Sequence, residues 1–315
     1  MNKEEAGRQK INMWTRWATV PLAILQAYGM ITLLRRSSYQ VLGSLDALSY
    51  ITIIITITAG TIFLMWIGEL ITEKKVGNGI SLLIFAGIIA GVPQSFQQVV
   101  ATYDSSQLFM ILGFIIVAIL TILGVVYVTE GQRNVPVQYA RQMHGGHSYG
   151  GSTTHLPLRV NMAGVIPIIF AVSILMFPSM IAQFFVTSQV AWLAAASTWV
   201  IKVIQNQWVY GIIYFVLVVA FTYFYTEVVF HPDQVAENLQ KQGGFIPGIR
   251  PGQPTARYLA NIMHKITLAG AIFLGVIAIL PLIMRSITGV QALAIGGTSL
   301  LIVVSVVIET VKQIE

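Results

Sequence analysis

The sequence predicts an all-α, polytopic membrane helix bundle, because its composition suits lipid and its apolar residues form long continuous runs. Hydrophobic residues make up 56% of the 315 residues, and only 10% are charged. A soluble domain carries about 25% charged residues, so most of this surface is unsuited to water. The mean hydropathy of +0.76 points the same way.

About eight apolar runs are each close to the ~20 residues that a helix needs to cross roughly 30 Å of hydrocarbon. The runs are continuous and do not alternate with polar residues, which favours helices over barrel strands. We therefore predict about eight transmembrane helices. Their approximate limits are 17–34, 49–71, 80–99, 108–128, 161–185, 208–230, 266–284 and 293–311.

The distribution of lysine and arginine predicts the orientation. With the N-terminus in the cytoplasm, fourteen of the eighteen Lys and Arg residues fall on the cytoplasmic side and four on the outer side. The positive-inside rule therefore favours a chain with both termini in the cytoplasm. The outer four are Arg35, Arg36, Lys202 and Arg285.

Two predicted cytoplasmic loops are unusually long, at about 129–160 and 231–265. Both are basic and rich in Gly and Pro, whereas a minimal bundle needs only short connections. Long loops on one face of a membrane protein commonly bind a partner. The alternative is a basic loop held only by anionic lipid.

The middle of each predicted span lacks Asp, Glu, Lys, Arg and His. Ion-coupled transporters place such groups there despite a cost of about 2.5–3.5 kcal/mol each. A charge-free interior instead suits a pore lined by aliphatic side chains, which resists ions by dewetting.

No pattern in the chain indicates an enzyme or a cofactor site. The chain has no cysteine, no Gly-rich phosphate loop with its Lys and no convergent catalytic group. His144, His147 and His155 lack a companion Cys or acidic cluster, so we predict no metal site.

Several short motifs have a structural interpretation beside a functional one. Gly77-Asn78-Gly79 is typical of a tight turn at a helix start. Gly87 and Gly91 form a GxxxG pair that indicates close helix packing. Pro167, which follows Gly164, removes a helical hydrogen bond and so predicts a kink or hinge; in a static bundle it would be only a bend.

Six motif-bearing stretches extend, in order, over nearly the whole chain. They are Trp66–Glu73 with Gly77–Ser81, Ile84–Ile88, Glu130–Arg133 with Val137–Ala140, His155–Asn161 with Ala163–Pro167, Phe245–Gly252, and Gly296–Ile302. In this order they resemble the SecY/Sec61-alpha family, whose bacterial members are the central subunits of the Sec protein translocon.

The resemblance implies an inverted-repeat channel fold in which the eight runs are the family's helices three to ten. Residues 1–107 then belong to the N-terminal half and residues 108–315 to the C-terminal half. The first two helices and the plug segment have no counterpart, so we expect an N-terminally truncated, incomplete fragment of the channel.

The resemblance also implies a pore ring of aliphatic side chains near the middle of the membrane. By motif position the ring comprises Ile80, Ile84, Ile169 and Ile302. The alternative is that these are ordinary isoleucines facing lipid or the core, since the chain contains many.

In the family, the seventh and eighth helices form one side of a lateral gate through which apolar segments leave for the lipid. Gly164 and Pro167 are then expected to act as its hinge. The resemblance further implies that Arg250, and less strongly Arg133 and Arg141, engage the SecA motor ATPase or the translating ribosome. A plain surface arginine is the alternative for each.

The expected function is a protein-conducting channel that passes unfolded secretory polypeptides and is driven by SecA or the ribosome. The implied partners are SecE, SecG, SecA, the ribosome, polypeptides bearing signal sequences and membrane lipid, in the bacterial plasma membrane. No cofactor is implied. Two alternatives stay open: a secondary transporter, and an insertase or scaffold that opens no aqueous path.

Overall fold

The structure is a computed structural model that describes residues 3–36, 46–75, 77–101, 108–139, 142–144, 147–149, 153–186, 188–288 and 296–314. The helices within these ranges are α1 Lys3–Arg36, α2 Ala47–Glu73, α3 Gly79–Ala101, α4 Leu108–Glu130, α5 Ile166–Phe185, α6 Ala191–Gln205, α7 Gln207–Val229, α8 Pro232–Lys241, α9 Gln253–Thr288 and α10 Gly296–Ile314. The strands are β1 Gln132–Tyr139, β2 Gln142–His144, β3 His147–Tyr149, β4 Thr153–Arg159 and β5 Gly244–Phe245.

The predicted helical membrane protein is confirmed. Each of the eight apolar runs coincides with one of the helices α1 to α5, α7, α9 and α10. Within the described ranges, five helical stretches are long and apolar enough to cross a membrane, and the first part of α3 is a shorter apolar one. The count of about eight crossings stays a prediction.

The chain divides into two compact units. Unit 1 comprises Met1–Gly87, Met176–Gln205 and Thr310–Glu315, and unit 2 comprises Ile88–Leu175 and Asn206–Glu309. The predicted division at residues 107 and 108 stays a prediction.

Unit 1 is built on the packing of α1 against α2. Ala23, Ala27 and Ile31 recur every fourth residue along α1 and are buried, which places them on one helix face. The rings of Tyr28 and Tyr50 meet edge to face at 5.9 Å. These contacts hold the two helices side by side.

Unit 2 is built on the packing of α7 against α9, its most extensive helix pair. Val218 and Thr222 on α7 and Leu274 on α9 are buried at 3% exposure or less. The hydroxyl of Thr222 donates to the carbonyl oxygen of Val218 one turn earlier, so a polar side chain is buried without an unsatisfied donor.

The two long predicted loops carry a small sheet, which the all-α prediction did not include. β1 pairs antiparallel with β4 on one edge and with β5 on the other. Val135 and Val137, alternate residues of β1, are buried in a core shared with Leu158, Leu239 and Leu259. Because β5 comes from the second loop, strand pairing joins the two loops.

The structure has helical segments that the sequence did not predict. The second loop was expected to extend to residue 265, but α9 begins at Gln253. Its first turns are amphipathic, with Leu259 and Ile262 packed under the sheet and Arg257 exposed, so they lack a continuous apolar run. The helices α6 and α8 were not predicted at all.

Candidate functional site

The motif Gly77-Asn78-Gly79 forms the tight junction between α2 and α3. The Oδ1 atom of Asn78 accepts a hydrogen bond of 3.2 Å from the backbone N–H of Ser81 and so caps α3. The backbone N–H of Gly79 donates to Oγ1 of Thr72 at 2.9 Å, and that hydroxyl donates to the carbonyl oxygen of Gly68 at 2.9 Å. The structural interpretation of the motif is thus confirmed.

The four isoleucines of the predicted ring are divided between the two units: Ile80 and Ile84 belong to unit 1, and Ile169 and Ile302 to unit 2. Ile80 is 58% exposed, and the other three are half-buried. The predicted ring stays a prediction.

The neighbours of Ile169 and Ile302 fill the core instead. Ile168 is 1% exposed and Leu301 is 0% exposed. Successive side chains on a helix point about 100° apart. The side chains of Ile169 and Ile302 therefore point away from the core that Ile168 and Leu301 fill. Both isoleucines thus lie at the edge of the core of unit 2, and their assignment to the ring or to the core stays open.

Of the two predicted hinge residues, Gly164 lies in the turn that precedes α5 and Pro167 lies in the first turn of α5. Gly164 has φ +59°, in the left-handed region that favours glycine, and its carbonyl oxygen accepts from Nδ2 of Asn161 at 3.2 Å. The expectation that Pro167 removes a hydrogen bond of the helix is wrong. Pro167 is the second residue of α5, where a backbone N–H has no acceptor within the helix anyway.

Arg250 is exposed at the tip of the second loop, on a backbone held by hydrogen bonds. Its carbonyl oxygen accepts from Oγ1 of the buried Thr255 at 2.9 Å. Just before it, the N–H of Ile249 donates to the carbonyl oxygen of Ile246 at 3.0 Å, and Ile246 is 2% exposed. The guanidinium is thus presented on a fixed turn.

The other two predicted arginines have different outcomes. Arg133 lies on β1 and is exposed, with Leu158 as its partner residue on β4. Arg141 lies outside the described residues. β1 also pairs with β5. Arg133 therefore lies on the same sheet as the strand that precedes the Arg250 loop.

The predicted packing at Gly87 and Gly91 is wrong for the part of the chain that the structure describes. A Cβ atom added at either glycine would meet nothing within 4 Å. For the histidines, no group of three or more metal-ligand side chains occurs among the described residues; the absence of a metal site stays a prediction.

The sequence interpretation missed the residues that support these positions. Thr72 and Thr255 fix the α2–α3 junction and the Arg250 turn through side-chain hydrogen bonds, and a lone threonine gives no pattern to read. The sheet core did give a signal, because Val135, Val137 and Tyr139 alternate with exposed residues along β1.

The family model described as SecY matches residues 1–311. A protein translocase subunit SecY of Halalkalibacterium halodurans is 43% identical over 99% of this chain and 73% of the relative. The SecY subunits of Corynebacterium glutamicum and Bacillus subtilis are 44% and 43% identical, again over 99% of this chain and 73% of each relative.

Two solved structures share the fold. One, reported for a SecY plug domain that stabilises the closed state of the translocation channel, has a TM-score of 0.65 at 18% identity and covers 99% of this chain and 75% of its own. The other, described as a protein conducting channel, has a TM-score of 0.67 at 19% identity, with coverage of 99% and 74%.

Proposed function

This chain belongs to the SecY family, and from that membership we propose that it forms part of a channel that passes unfolded secretory polypeptides across a membrane. The observation that carries the proposal is 43% identity, over 99% of the chain, to a protein translocase subunit. The charge-free middle of each span supports it, since a transporter would need polar groups there. The bacterial relatives support the plasma membrane of a bacterium as its location.

The proposed constriction is formed by Ile80, Ile84, Ile169 and Ile302. Branched aliphatic side chains coordinate no ion, so a narrow ring of them stays dry and blocks conduction. They can part around an extended chain and close behind it. The half-burial of Ile169 and Ile302, beside fully buried neighbours, leaves their side chains available for such a lining.

The double substitution of Ile169 and Ile302 by Ser is expected to raise ion leak several-fold, because hydroxyl groups allow water into the ring. The measurement is the conductance of the purified complex in planar bilayers without a polypeptide substrate. Ile174→Ser is the matched control, since Ile174 lies on α5 as well and is 46% exposed. Normal conductance in the double variant, or equal leak in the control, would count against the ring.

We propose that the lateral gate hinges at Gly164 and Pro167, where the turn from Asn161 to Val165 leads into the first turn of α5. The hydrogen bond from Asn161 to Gly164 and the positive φ of Gly164 make this turn a defined joint before α5 begins. A change of backbone angles here would tilt α5 without breaking its helical hydrogen bonds. Apolar segments of the substrate would then leave sideways for the lipid.

Arg250 is the proposed contact for the driving partner, either the SecA motor or the ribosome, with Arg133 and Arg141 as weaker contacts. A guanidinium binds carboxylate or phosphate through two parallel hydrogen bonds. Because hydrogen bonds already fix the backbone of the Arg250 loop, less conformational entropy is lost when Arg250 binds a partner. SecE and SecG are the proposed membrane subunits of the same complex. The proposed orientation of this chain has both termini in the cytoplasm.

A further inference from the structure

The helix α6 is too short to cross a membrane, yet it connects two helices that are long enough. Its fifteen residues extend about 22 Å at 1.5 Å per residue, against roughly 30 Å of hydrocarbon. It follows α5, which ends at Phe185, and precedes α7, which begins at Gln207. If α5 and α7 each span the bilayer, α6 stays on the one side where their adjoining ends lie.

The first of the three faces of α6 is the least exposed one. At 100° per residue, Leu193, Ser197, Val200 and Ile204 share one face. Ser197 is 7% exposed and the other three are half-buried. This face is the most covered of the three, so the other two faces are the more open ones.

The second face is aromatic and the third is polar. Trp192 and Trp199, seven residues apart and therefore on one side, are 71% and 65% exposed, and Ala196 and Val203 lie between and beside them. Thr198, Lys202 and Gln205 form the polar face, and all three are exposed. A helix in contact with water alone would gain nothing from two exposed indoles.

We propose that α6 lies flat in the phospholipid headgroup region, with the face of Trp192, Ala196, Trp199 and Val203 against the acyl chains. Tryptophan is enriched at this depth because its ring is apolar while its N–H is polar. Lys202 borders the aromatic face, so its ammonium reaches lipid phosphate while its stem stays in the apolar layer. An amphipathic helix with tryptophan on one face and a cation on the other has the composition of an interfacial anchor.

The absence of cysteine from the sequence makes the proposal directly testable by spin labelling. Single variants A196C and V203C place a nitroxide on the aromatic face, and T198C and Q205C place one on the polar face as matched controls. The full complex is reconstituted in vesicles of phosphatidylethanolamine and phosphatidylglycerol, and relaxation of each label by oxygen and by a water-soluble nickel chelate is measured.

The expected result is a split within one helix: oxygen dominates at positions 196 and 203, and the nickel chelate dominates at 198 and 205. Two outcomes would overturn the proposal. If the chelate dominates at all four positions, α6 projects into water. If the labels at 196 and 203 are shielded from both reagents, the aromatic face is covered by protein and not by lipid.

Discussion

Replacing Arg250 by Glu is expected to lower protein translocation by about tenfold or more, while the chain still accumulates in the membrane. Removing one partner of a buried charge pair at an interface costs about 2–5 kcal/mol, and the fixed turn leaves residue 250 little freedom to avoid the added repulsion. Its carbonyl oxygen is held by Thr255, and Ile246 anchors the loop in the core. Folding should be unaffected because the side chain is exposed.

The measurement is the amount of a secretory polypeptide that becomes protease-protected in inverted membrane vesicles supplied with the motor and ATP. Arg257→Glu is the matched control, because Arg257 is also exposed and lies seven residues further along in unit 2. Equal losses in the two variants would mean that only the net charge of this face matters. Undiminished transport in Arg250→Glu would remove Arg250 from the partner contact.

Replacing Gly79 by Ala is expected to destabilise the folded chain severely, by about 3 kcal/mol or more. A Cβ atom at this position would overlap the carbonyl oxygen of Gly68, which is backbone and cannot rotate away. The junction would have to open, and the bond from the N–H of Gly79 to Thr72 would be lost. Ile80 and Ile84 would then shift together with the start of α3.

The stability of Gly79→Ala is to be measured by thermal unfolding of the purified complex in mild detergent. Gly87→Ala is the control on the same helix, since a Cβ there meets nothing within 4 Å and alanine favours the helix. We expect the control to be as stable as the natural chain. A Gly79→Ala protein of normal stability would show that α2 and α3 are further apart than the structure has them.

The sequence was sufficient to predict the helices that have long apolar runs, because a helix that crosses the lipid needs a continuous hydrophobic segment. It failed for α6, in which Ser197 and Lys202 interrupt the apolar residues, and for the first turns of α9, in which exposed Arg257 alternates with buried Leu259. Both helices are amphipathic, and a search for continuous hydropathy overlooks that pattern.

The candidate site was predictable only where the motif itself determines the geometry. Asn78 and Gly79 are such a case, since a capping side chain and a close backbone approach demand these residue types. Pro167 is the opposite case, because its effect depends on whether α5 begins before or after it. The ring requires side chains from three helices, and no local pattern specifies how three helices are arranged.

The proposed pore is tested most directly by cross-linking to a polypeptide stalled halfway through the channel. Single variants Ile84→Cys, Ile169→Cys and Ile302→Cys are made in the naturally cysteine-free chain, and the stalled polypeptide carries one cysteine at its midpoint. Ile174→Cys and Ile272→Cys, at positions 46% and 45% exposed, serve as controls. A pore at the four isoleucines predicts disulfide adducts at 84, 169 and 302 and none at 174 and 272. Adducts at the control positions, or none at the ring positions, would contradict it.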